Sequence, residues 1–62
     1  MDNIKTALVK IMADLPERDR LIMSLYYYEN LTVVEIGAIL KIKEETVKKN
    51  MNRVLNILRE KM

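Results

Sequence analysis

The chain has 62 residues, of which 50% are hydrophobic and 32% charged, with a formal net charge of +2. A chain this short makes one domain, and folding buries only about 60% of its unfolded surface, so most apolar residues must share one small core. Cysteine and histidine are both missing, which excludes disulfides, thiol nucleophiles, imidazole bases and the usual zinc ligands together. The longest apolar run, Ile36–Leu40, falls far short of the ~20 residues of a membrane span. Met1-Asp2-Asn3 opens no secretory signal, for want of a basic start leading into an apolar stretch. These features predict one cytoplasmic domain over residues 1–62, with no membrane partner. A single glycine, no phosphate-cradling loop and no nucleophile–base pair point away from an enzyme, a small-molecule substrate or a cofactor.

Charge is unevenly spread. Residues 1–40 carry a net −2 and residues 41–62 a net +4. A basic C-terminal third on a near-neutral body suits a polyanion on one side, nucleic acid first. A solvated, lysine-rich helix face gives the same pattern.

In chain order, the first predicted helix carries Ile4, Leu8, Ile11, Met12 and Leu15, the spacing of one buried face. Asp2 or Asn3 can cap its start. Pro16 ends it, because proline disfavours helical geometry in the residue before it. The same ring suits the first position of a second helix, where a missing N–H costs nothing. Glu17 and Asp19 then fall in the first turn, at the positive end of the dipole. Leu21, Leu25 and Tyr28 are expected to line the buried face of this helix, with Ile22 and Tyr26 beside them. Consecutive helical residues point about 100° apart, so two of Tyr26, Tyr27 and Tyr28 are expected in the core and one at the surface. Glu29-Asn30 is the exit, since asparagine tolerates the left-handed conformation.

The third helix has the best-marked start. Thr32-Val33-Val34-Glu35 is a capping box, and Leu31 and Ile36 stand at the positions of a hydrophobic staple. This helix closes near Leu40. The fourth opens at Glu44-Glu45, runs to about Arg59, and carries an apolar stripe of Val47, Met51, Val54, Leu55 and Leu58. Met12, Met23 and Met51 read as core filler.

Only Lys41-Ile42-Lys43 separates the last two helices. A short amphipathic helix, a tight turn and a longer basic helix is the helix-turn-helix arrangement. The fold class is therefore all-α: four helices containing a helix-turn-helix. Its second helix enters the DNA major groove with N-terminal residues facing base edges. Gly37 is small where the two helices approach, and Lys41 occupies a turn position that favours positive φ and hence glycine. A helical hairpin that binds only another protein is the competing interpretation.

The strings Leu15-Pro16-Glu17-Arg18-Asp19-Arg20, Leu25–Thr32 and Glu35-Ile36-Gly37 resemble region 4 of bacterial RNA polymerase sigma factors, of the flagellar or motility type. The resemblance covers nearly the whole chain. It implies a domain that recognises the −35 element of double-stranded promoter DNA and docks on the β-subunit flap of RNA polymerase core, with an anti-sigma factor as a further partner. The pattern departs before the last helix. The family usually has Gly-Val-Ser there, with serine as N-cap, where this chain has Lys41-Ile42-Lys43. Asn50 stands where sigma factors usually carry an apolar residue, and is expected to be a partly exposed neighbour of the turn. Thr46–Asn52 is instead similar to the recognition helix of LuxR/GerE-type regulators.

Candidate DNA-contacting residues follow from chemistry and place. Lys48 and Lys49 can donate to guanine or phosphate, Glu45 can accept from a cytosine amino group, and Asn52 can pair with adenine. Lys43 and Thr46 flank them, and Arg53, one turn further on, suits the phosphate backbone. Thr32, at a helix N-terminus, is a second phosphate anchor. Three functions fit: a sigma-type promoter-recognition domain, a stand-alone LuxR/GerE-like regulator dimerising through its last helix, and a sigma-like module that binds protein without reading DNA.

Overall fold

The structure is a computed structural model that describes residues 2–61 and the side chains of residues 3–61. It comprises α1 (Asp2–Asp14), α2 (Glu17–Tyr27), α3 (Val33–Leu40) and α4 (Glu44–Lys61). The described residues contain no strand, as the all-α expectation requires. The Asp2 side chain lies outside the described residues, and Asn3 sits inside α1 rather than before it.

Pro16 breaks the first two helices apart. It occupies the N-cap of α2 (φ −54°, ψ 147°) and not the first helical position, because its extended ψ has not yet entered the helix. Its carbonyl accepts from Arg20 N–H at 3.1 Å, while the Arg20 guanidinium reaches back to the Ala13 carbonyl at 3.0 Å. That bond satisfies one of the carbonyls the end of α1 leaves open. Asn30 makes the exit turn after α2 with φ 57°, a left-handed conformation that asparagine accepts at low cost.

The core has two clusters of buried residues that meet at Met51. Ile22, Ile36 and Val47 form one, surrounded by Leu25, Leu31, Val33, Leu40 and Ile42. Leu15, Met23 and Val54 form the other, with Met12, Ile57 and Leu58 against them. Each buried aliphatic side chain contributes roughly 1.5–3 kcal/mol. The first cluster clamps α2, α3 and α4 together; the second lays the end of α1 across α4.

Three packing expectations are corrected. The buried face of α2 is Asp19, Ile22 and Met23, one residue round from the expected Leu21–Leu25–Tyr28 stripe. Leu21 and all three tyrosines are exposed, Tyr28 most of all at 82%. The rotation has a polar cause: Asp19 is turned inward to meet a cation on α4. In α1 the pattern is used only at its C-terminal end, where Ile11 and Leu15 are buried while Ile4 and Leu8 are exposed. In α4 Leu55 is exposed and Asn50 is buried; the asparagine lies inward because it shares the polar contact at Asp19.

Candidate nucleic-acid interface

The α3–α4 corner fixes where the last helix points. At its entry, the Glu35 N–H donates to Thr32 Oγ1 at 3.1 Å and the Thr32 N–H donates to Glu35 Oε1 at 2.9 Å. The Thr32 backbone N–H, and after it the Thr32 side chain, holds the exposed Glu35 carboxyl below the usual carboxylate range. Leu31, packed on the cluster that contains Ile36, supplies the staple. The start of α3 is therefore rigid.

At its exit, Lys41 adopts a left-handed conformation (φ 59°, ψ 45°) and its N–H returns to the Gly37 carbonyl. Ile42 N–H donates to that same carbonyl at 3.0 Å. A Cβ on Gly37 would stand 2.9 Å from the Ile42 carbonyl oxygen, so glycine is required by the close approach of the turn. Lys43 then caps α4 through its carbonyl alone, accepting from Thr46 and Val47 N–H at 3.0 and 3.1 Å.

Val47 and Val54 are fully buried, which anchors one side of α4 and sends the other to solvent. Glu45, Lys48, Lys49 and Asn52 are all exposed, Thr46 is half-buried, and Lys43 and Thr32 are exposed on the adjoining turn and helix start. The hydroxyl of Thr32 accepts from the Glu35 N–H. The face so formed is small, polar and cationic along one edge, the character of a surface that meets phosphate and base edges. Glu44 and Glu45 in the first turn stabilise the helix start through its dipole and temper the positive field.

Arg53 is differently placed. Its Nη2 donates to Asp19 Oδ1 at 2.8 Å and Oδ2 at 3.0 Å, and its Nε donates to Oδ2 at 3.2 Å. Nη2 also reaches Asn50 Oδ1 at 3.3 Å. The Asp19 side chain is fully buried while that of Arg53 remains 55% exposed. Asn50 Nδ2 is buried without a hydrogen-bond partner. Sequence reasoning missed Asp19 and Asn50 as partners of Arg53. The i, i+3 spacing of Asn50 and Arg53 was the one local sign available.

Residues 11–60 match the family described as Sigma-70, region 4. The chain belongs to this family. Region 4 accounts for all four helices from Ile11 onward, and the flagellar-type likeness expected from Leu15–Arg20 and Leu25–Thr32 is borne out among relatives. RNA polymerase sigma factor FliA of Escherichia coli K12 is 35% identical over 60 residues, covering 97% of this chain and 25% of that protein. The FliA sigma factor of Yersinia enterocolitica is 32% identical over 60 residues, 97% of this chain and 26% of that protein. That of Pseudomonas aeruginosa is 44% identical over 46 residues, 74% of this chain and 19% of that protein. The chain thus spans about a quarter of the length of the curated relatives it matches. No solved structure matches it.

Proposed function

We propose that residues 1–62 form one DNA-binding domain of region 4 type that recognises the −35 element of promoter DNA through α4 and docks on RNA polymerase to direct transcription initiation. The observation that carries this reading is the exposure of Lys48 and Lys49 on the side of α4 opposite buried Val47 and Val54. Lys48 and Lys49 meet guanine or phosphate, Glu45 and Asn52 face base edges, and Lys43, Thr46 and the Thr32 hydroxyl meet the backbone. The polymerase contact is assigned to the β-subunit flap, and an anti-sigma factor is a further protein partner. The domain works without catalysis, cofactor or small-molecule substrate, in the cytoplasm.

Few cations and two glutamates at the groove-facing end (Glu44 and Glu45) keep affinity low, in the range of ~10⁻⁴–10⁻⁶ M at physiological salt. Tethering to polymerase raises the effective concentration and offsets this weakness. The test is fluorescence anisotropy of a labelled promoter duplex titrated with this chain at low salt, beside a pull-down with polymerase core and its flap fragment. Lys48→Glu with Lys49→Glu should abolish duplex binding while leaving the pull-down intact. Equal duplex binding by the altered and unaltered chains would refute DNA reading through Lys48 and Lys49, and no duplex binding by the unaltered chain at low salt would leave the protein-only module.

A further inference from the structure

We propose that Asp19 withholds Arg53 from the DNA backbone, so that Arg53 acts as a positioning residue for α4 and adds nothing to the cationic footprint. The inference rests on the DNA-reading function and concerns how that same surface is tuned.

The geometry is specific. Arg53 stands on α4 one turn beyond Lys49 and is the first arginine of that helix. Arginine forms bidentate bonds to phosphate as readily as to carboxylate, so by position it belongs to the interface. Yet its Nε and Nη2 are already engaged by both oxygens of Asp19, 34 residues earlier in the chain. The carboxylate is fully buried, so solvent screens the pair poorly from that side and the two charges cancel at close range. Asn50, itself 7% exposed, adds another acceptor to the same Nη2. Asp19 thus occupies the place a phosphate would take. What remains free to displace counterions is the lysine edge of Lys43, Lys48 and Lys49.

Counterion release turns this into a measurable quantity. Each phosphate neutralised adds about 0.9 to the slope of log affinity against log salt for duplex DNA. Asp19→Asn keeps an acceptor for the guanidinium but removes the charge that cancels it. It should steepen the slope by about 0.9, an extra loss of about 3.5-fold in affinity between 50 and 200 mM salt. Asp19→Asn with Arg53→Gln should return the slope to that of the unaltered chain. Asp14→Asn, which adds the same unit of net charge on α1, should leave it unchanged.

The readout is anisotropy of a labelled duplex across that salt range. A second measurement needs no variant: the Arg53 Nε–H resonance of the unaltered chain should hold its position while duplex DNA is added. A slope that Asp19→Asn leaves unchanged, or that Asp14→Asn raises equally, overturns the inference. So does an Arg53 Nε–H signal that moves with DNA. Absence of any binding by the unaltered chain at low salt defeats the DNA-reading function itself, a result distinct from binding with unaltered slopes.

Discussion

Gly37→Ala tests the corner that aims α4. The new Cβ would stand 2.9 Å from the Ile42 carbonyl oxygen, against an ordinary contact of 3.4 Å or more, and 3.7 Å from Glu44 N. Both neighbours are backbone of the turn, and the Ile42 N–H is itself bonded to the Gly37 carbonyl at 3.0 Å. Relief therefore requires the turn to shift bodily. Overpacking of this kind costs about 1–3 kcal/mol, and alanine recovers about 0.8–1.0 kcal/mol through helix propensity. The balance is a loss of up to about 2 kcal/mol, from a domain whose whole stability is about 3–9 kcal/mol at 0.05–0.15 kcal/mol per residue. Thermal unfolding followed by far-ultraviolet circular dichroism should show Tm lowered, by up to about 16 °C at about 4–8 °C per kcal/mol. Ala38→Gly, on the exposed side of the same helix, calibrates the propensity contribution alone. If Gly37→Ala melts at or above the unaltered chain, the close approach is not what requires glycine here.

Lys41→Gly should act in the opposite direction. Removing Cβ from the left-handed residue at φ 59° relieves about 1–2 kcal/mol, less about 0.4–1 kcal/mol from the freer unfolded chain; urea unfolding should show a higher midpoint, and an unchanged or lower one counts against the argument. Arg53→Met leaves the fully buried Asp19 carboxylate without its cation and should cost about 3 kcal/mol or more, seen as loss of the cooperative thermal transition; a melt within a few degrees of normal would show that Asp19 does not depend on the pair. The Glu35 carboxyl, held low by Thr32, contributes to α3 fully above the usual glutamate value of about 4.3. That contribution is lost as pH falls through its lower folded value. The Thr32 amide shift should titrate below the usual value and stop titrating in Glu35→Gln; titration at or above that value contradicts the box.

The elements legible in the sequence were those whose cause is local. Thr32 and Glu35 sit three residues apart, Pro16 acts on its immediate neighbours, and the Gly37–Lys41 turn spans one bend, so each could be read from spacing alone. The face of α2 could not. Its apolar pattern offered Leu21, Leu25 and Tyr28, and the structure chose Asp19, Ile22 and Met23 because a carboxylate had to reach Arg53 on a distant segment. Local periodicity counts aspartate as polar and sends it outward. Asn50 was misread for the same reason, since its burial follows from sharing that contact. The repeat in α1 was read correctly as helical but too generously as buried: α4 covers Leu15 and Met12, while Ile4 and Leu8 are left exposed. At the interface, the exposure of Lys48 and Lys49 followed from the helical repeat around Val47 and Val54, whereas the engagement of Arg53 required the three-dimensional structure.

The central claim is that the lysine edge of α4 lies against duplex DNA, and backbone amide shifts of this chain during titration with a promoter duplex test it most directly. Shifts concentrated from Lys43 to Asn52 and at the start of α3 near Thr32 are the expected result. A map confined to the exposed residues of α1 or to Tyr26–Tyr28, with α4 unmoved, would contradict it.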